Sequence, residues 1–333
     1  MSHDGDRLFH LRMLTDEVRM KAYRAAIERT VRPGDVVADL GSGTGVLGMM
    51  CARAGAARVF CVERDAHMVD LARKLACANG LGDRVEFLHS RIEDLTAFPA
   101  PVDVLVSETM GAAGLDEGIF QLFSRCASLL PRLPRRVPGR LRVWAAPLAF
   151  PELVLRWTLG ARVEGLDFST LAAGLGHIPQ VLPVTPAMLL APPRPLFSGE
   201  PGVDAAPERL EAVWDPPPSG VVDGVALWFS ADLADGITLA NGPRDPDTHW
   251  NQLVLPVLPG LAPAAAPFVL EVWPRFVAAA PRWKWRLTWG GLCYEGDPAT
   301  LDAAGSVAEL QPSVSSMYRI RVQCGHWIMS FIS

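Results

Sequence analysis

Lysine is almost missing from this chain: Lys21, Lys74 and Lys284 are the only three in 333 residues. The cations are arginines, interspersed with acids to a net charge of −5, so no basic face for nucleic acid is indicated. The cysteines, Cys51, Cys61, Cys77, Cys126, Cys293 and Cys324, form no CxxC pair and lack histidines at ligand spacing. That excludes a zinc site or disulfide framework and points to free thiols in a reducing cytoplasm. No apolar run approaches the ~20 residues of a membrane helix, and the polar opening MSHDGDRLFH does not read as a signal peptide. The length predicts two domains, or one large domain with an elaboration.

What is present falls into two unlike halves. LTDEVRMKAYRAAIERTV has helical composition, with Thr15 as the expected cap. DVVADLGSGTG then runs from an apolar strand into glycines, and the pattern alternates: helix VLGMMCARAGA, strand RVFCVERD, helix AHMVDLARKLACANG, strands RVEFLHS and VDVLVSE. Strands alternating with helices predict a doubly wound parallel sheet, with its site beyond the carboxyl ends of the strands. Past about Pro138 prolines multiply and short strand-like runs take over. In RWKWRLTW, Trp283, Trp285, Leu287 and Trp289 alternate with polar residues, the period of a sheet face turned to a core. The chain therefore reads as a Rossmann-like α/β unit over 1–137 and a β-rich, barrel-like unit over 138–333.

In ADLGSGTG, Gly41, Gly43 and Gly45 alternate and Asp39 precedes them. A dinucleotide loop wants a glycine where Val46 stands, so the spacing suits a loop curling under a smaller nucleoside. Glu63 ends the next strand, placed for ribose hydroxyls, and Glu93 follows the third strand, placed for an adenine edge. Together they favour S-adenosylmethionine over a nicotinamide cofactor. Downstream, SETMGAAGLDEGIF brings Glu108 and Glu117 to a strand end around small residues.

Four segments resemble the protein arginine methyltransferase family, and in its order: HLRMLTDEVR, VVADLGSGTGVL, SETMGAAGLDEGIF and DPDTHWNQ. The resemblance implies a Rossmann-like domain followed by a β-barrel, and S-adenosylmethionine as cofactor. It makes Glu108 and Glu117 a paired carboxylate cradle for a guanidinium, whose five donors form a fixed fork. Deprotonating a group of pKa about 12.5 before attack at pH 7 would cost about 7 kcal/mol. Holding the cation and polarising it toward one nitrogen avoids that cost, and the two acids offset repulsion between substrate and sulfonium cations. The resemblance also implies that Arg19 pairs with the cofactor carboxylate. Asp16 would bond His249, as an interdomain clamp or a proton relay, with Met13 and Trp250 beside the substrate.

The departures are Thr109 and Ala112, where the family carries bulkier residues, and the lack of a tyrosine-bearing segment before His10. Closure over the cofactor is then looser or rests on Phe9. Short flanking segments lean toward monomethylation. Without a concentrated acidic run, free L-arginine in secondary metabolism is favoured over an arginine-containing peptide. The different-class alternative is a catalytically silent cofactor-binding scaffold. The resemblance further implies a homodimer through an arm near 149–175, where Leu153, Leu155, Trp157 and Leu159 alternate.

Overall fold

The computed structural model describes residues 3–150, 162–168, 175–277 and 280–298. Two helices open the chain, α1 (His3–Leu14) and α2 (Glu17–Thr30). Sequence predicted one helix capped by Thr15. The cap is instead Asp16, whose carboxylate accepts from the Arg19 backbone N–H at 3.0 Å while its own backbone is extended. An aspartate cap satisfies an amide left free in the first turn, and the extended residue breaks the chain into two helices.

The alternating segments then build a parallel sheet. Its strands are β1 (Val36–Leu40), β2 (Arg58–Glu63), β3 (Val85–His89), β4 (Val104–Ser107) and β5 (Arg135–Val137), in the order β3-β2-β1-β4-β5. Helices α3 (Val46–Arg53), α4 (Ala66–Ala78) and α5 (Ile119–Ser128) are interleaved with them. Val37, Ala38, Leu40, Val104, Leu105 and Val106 are wholly buried, as a sheet covered on both faces requires. Strand order reverses beside β1, so a crevice opens at the carboxyl ends of β1 and β4. Helix α5 was not anticipated; Ile119, Phe120, Phe123 and Cys126 give it one buried face.

The remaining strands pair antiparallel. One sheet joins β6 (Arg140–Leu148), β9 (Gln180–Leu182), β10 (Arg194–Gly199), β12 (Val222–Ala234), β13 (Ile237–Ala240) and β14 (Gln252–Leu261). The other joins β11 (Leu210–Trp214), β15 (Phe268–Val277), β16 (Ala280–Trp289) and β17 (Leu292–Gly296). A two-residue-stranded hairpin, β7 (Arg162–Val163) and β8 (Leu166–Asp167), stands apart. Among the described residues these are two ladders rather than one closed barrel.

The period-two tryptophans do face the core: Trp283, Trp285, Leu287 and Trp289 are at most 2% exposed. Each large aromatic removes ~150–250 Å² from water, on the order of 4–6 kcal/mol before entropy is counted. Of the expected dimer arm, residues 151–161 and 169–174 lie outside the described residues, among them Leu153, Leu155, Trp157 and Leu159.

Candidate active site

The floor of the crevice is the glycine loop after β1. Gly41, Gly43 and Gly45 all take positive φ, at +68°, +51° and +74°, a region side chains rarely enter. Close approach adds a second constraint. A Cβ on Gly41 would stand 2.9 Å from Thr109 Cγ2, and one on Gly43 2.8 Å from His10 Cε1. The bare backbone is thus packed from below by Thr109 and covered from above by α1. Phe9, considered for that cover, is 55% exposed; His10 is the ring that reaches the loop. A pocket opens here between His10, Met13, Arg19, Asp39, Gly43 and Glu108.

The two inner acids of this region serve the backbone first. Asp39, 1% exposed, accepts from the Gly48 N–H at 2.8 Å and so holds the start of α3 against β1. Burial pushes its carboxyl up to about 7. Glu63 accepts from Gly43 N–H and Asp65 N–H, each at 2.9 Å, one on each oxygen. Each oxygen keeps a second lone pair, which suits a vicinal diol. Glu93 lies farther out, on an exposed turn, paired with Arg91 at 3.4 Å.

Glu108 is fixed by the strand that precedes it. Ser107 donates its hydroxyl to the Leu40 carbonyl at 2.7 Å, and its own carbonyl accepts from Tyr23 Oη at 2.9 Å. The Glu108 carboxylate then meets Arg19: Nε at 3.0 Å and Nη2 at 2.8 Å reach the same Oε2. Arg19 Nη1 donates to the Met13 carbonyl at 2.9 Å. Burial raises the Glu108 carboxyl, and the Arg19 cation offsets part of that rise.

Glu117 ends the same loop, two residues before α5, and is exposed to solvent. Its dense surroundings and the Glu108 and Asp116 carboxylates push it up to about 8; water at its open face moderates that shift. A carboxylate raised by two neighbouring carboxylates suits a cation beside it.

The loop bearing His249 closes the crevice from the antiparallel side. Asp16 Oδ2 accepts from both the backbone N–H and the Nδ1 of His249 at 2.9 Å, with the side chains 3% and 5% exposed. Asp16 therefore joins the α2 cap to this loop with one carboxylate. Trp250 is buried, its ring 4.2 Å from His249 and 5.1 Å from Phe229 by centroids. It supports His249 from behind. Asn241 was missed from sequence: its amide donates to the carbonyls of Ala112 at 2.8 Å and Asn251 at 2.5 Å, tying the two loops together. Nothing in LANGPRD separates it from an ordinary turn asparagine.

A family pattern described as a methyltransferase domain matches residues 37–132, from β1 through α5. An arginine N(omega)-methyltransferase of Streptomyces achromogenes subsp. streptozoticus is 32% identical over 262 residues, covering 75% of this chain and 71% of that one. This chain belongs to the protein arginine methyltransferase family. Protein arginine N-methyltransferase 6 of Danio rerio is 30% identical, over 75% of this chain and 76% of its own length.

The same fold appears in solved arginine methyltransferases. The Trypanosoma brucei PRMT1 enzyme–prozyme heterotetrameric complex with AdoHcy superposes at TM-score 0.75 with 23% identity, covering 87% of this chain and 96% of that chain. Arabidopsis thaliana protein arginine methyltransferase 10 gives 0.68 with 22% identity, over 86% and 96%. S-adenosylmethionine is the cofactor of this methyltransferase, and the bare-backbone loop, the Glu63 lone pairs and the α1 cover fit it.

Proposed function

We propose that this arginine methyltransferase modifies an ω-nitrogen of free L-arginine, mainly once, in a secondary-metabolite route. The observation that carries the reading is the pair Glu108, at the end of β4, and Glu117, at the other end of the loop that follows, with Glu108 already gripping a guanidinium fork, that of Arg19. Such a fork is the shape and charge the two carboxylates are built to hold.

The cofactor supplies an electrophilic methyl on a cationic sulfur. The chain's own residues do the rest. Glu108 and Glu117 orient the substrate guanidinium and draw its charge toward the nitrogens they bind, freeing a lone pair on the other. His249 Nδ1 faces the Asp16 carboxylate, which favours the tautomer protonated there and leaves Nε2 as an acceptor. Burial lowers the His249 pKa, so the ring is neutral at neutral pH and can take a proton.

Arg64 supports a free amino acid as substrate. It follows Glu63 at the end of β2, is exposed, and places a positive charge that acts on Glu117. A cation at that rim suits the α-carboxylate of free arginine. An arginine within a peptide has no carboxylate at that point. The peptide reading rests on the protein arginine N-methyltransferase relatives.

We assign the cofactor unit to 1–137 and the substrate unit to 138–333, since the parallel sheet ends at Val137 and the antiparallel one begins at Arg140. A homodimer is expected through the arm, where Val163 and Leu166 on the hairpin are 50% and 63% exposed. Light scattering at micromolar concentration should give twice the chain mass; a monomer would reject that contact.

The deciding experiment offers labelled S-adenosylmethionine with free L-arginine or with a mixed arginine-peptide pool, and identifies products by mass. Label in monomethyl-arginine supports the reading. Label confined to peptides transfers the assignment to the peptide alternative, and abundant dimethyl-arginine removes the single-methyl clause.

A further inference from the structure

Between the two glutamates lies a third acid that the cradle does not use. Asp116 is 8% exposed and its oxygens are divided between two buried donors. Oδ2 accepts from the Ala113 backbone N–H at 2.5 Å, closing a turn inside the loop. Oδ1 accepts from Trp283 Nε1 at 2.8 Å, across to β16 of the antiparallel domain. Trp283 is itself 2% exposed, so its N–H has no water to turn to.

The surrounding loop is shaped to admit this carboxylate. Gly111 has φ +65°, and a Cβ there would collide with Asp116. The Asp116 backbone N–H donates to the Met110 carbonyl at 3.1 Å. Backbone and side chain therefore fix residue 116 from both sides, and Glu117 is the next residue along.

We infer that Asp116 is a positioning residue: its carboxylate latches the loop to Trp283, so that β16 sets where Glu117 stands. A carboxylate serves where a neutral acceptor would not, because two N–H donors arrive and both need an oxygen. Glutamine or asparagine offers one oxygen and turns a donor toward the other N–H. The inference rests on Glu117 being half of the guanidinium cradle. It adds that the second carboxylate is held by the substrate domain rather than by β4, which holds the first.

Charge gives the latch a signature that a merely structural contact would lack. The groups acting on Glu117 are Glu108, Asp116, Arg64 and Arg19. Asp116 is the one adjacent in the chain, and its negative charge raises the Glu117 carboxyl. Activity needs Glu117 ionised and so rises with pH through its titration. Removing the Asp116 charge moves that acid limb to lower pH; removing only the tryptophan N–H leaves the charge in place.

The test compares Asp116→Asn, Trp283→Phe and Glu117→Gln in the full chain, reading kcat, KM for arginine, S-adenosylhomocysteine affinity and the pH profile of kcat/KM. Asp116→Asn should lower kcat about 10- to 100-fold at its optimum, keep S-adenosylhomocysteine affinity within about twofold, and shift the acid limb downward. Trp283→Phe, which keeps the ring and loses the donor, should lower kcat with no downward shift of that limb. If Asp116→Asn does not fold, Trp283→Phe decides alone: reduced kcat with intact cofactor affinity supports the latch, and wild-type kcat overturns it. Wild-type kcat and an unmoved limb in both variants also overturn it. Glu117→Gln separates the two ideas. If it keeps turnover, the cradle itself fails; if it is inactive while both latch variants are normal, only the latch fails.

Discussion

Glu108 and Arg19 form a buried pair, 3.0 Å and 2.8 Å from guanidinium nitrogens to one carboxylate oxygen, 89 residues apart in the chain. The pair joins α2 to the end of β4, and it leaves the second carboxylate oxygen of Glu108 for a substrate.

Breaking that pair from the arginine side strands a buried carboxylate. Arg19→Ala should cost about 3–5 kcal/mol, roughly a 10 °C fall in melting temperature for a domain of this size. Loss of the cation also raises the Glu108 carboxyl further, so any residual activity should need higher pH. Arg19→Lys keeps the charge without the fork and should fall between. A melting temperature within about a degree of wild type for the alanine variant would contradict the energetic role assigned to the pair.

Asp39 makes a prediction with a definite sign. Its carboxyl is pushed up to about 7 by burial, with the Gly48 N–H opposing. The folded chain therefore holds a proton that the unfolded chain releases near pH 4. That contribution is complete at low pH and is lost as pH rises through about 7. Asp39→Asn stays neutral throughout and should lose less stability between pH 5 and pH 8, by about 2–3 kcal/mol for the two units between pH 5 and 7 at 1.36 kcal/mol per pH unit. Denaturant midpoints at the two pH values measure it, and parallel changes in both proteins would count against it.

Arg64 separates free arginine from its decarboxylated analogue. If it meets the α-carboxylate, Arg64→Ala should raise KM for L-arginine about 10- to 100-fold, the loss of one charged hydrogen bond. Agmatine, which lacks that carboxylate, should be a poor substrate for the wild type and respond little to the substitution. Equal effects on both compounds would remove Arg64 from substrate recognition.

Sequence conveyed the parallel sheet well because each strand and helix there carries its own local period, from Val36 through Val106. It conveyed the glycine loop because positive φ and close packing leave few residue types at Gly41 and Gly43. Contacts between distant segments were illegible. Asp116 looked like a third loop acid, Asn241 like a turn residue and Trp283 like plain core, since their partners lie 167, 129 and 10, and 167 residues away. Arg19 was expected to meet the cofactor carboxylate; that its fork also grips Glu108, 89 residues away, was not legible. The cap at Asp16 is local, through Oδ1 to the Arg19 N–H; what no local pattern shows is that its Oδ2 also serves His249, 233 positions on.

The two-carboxylate cradle is tested most directly by single-turnover methyl transfer in Glu117→Gln, because Glu117, unlike Glu108, has no ion pair within the described residues to disturb. The glutamine keeps the shape, removes the charge and turns a donor toward the guanidinium. S-adenosylhomocysteine should bind as to wild type while transfer to arginine slows by about 10²–10⁴, or 3–5 kcal/mol of transition-state stabilisation. Transfer at the wild-type rate, with cofactor binding intact, would contradict the account.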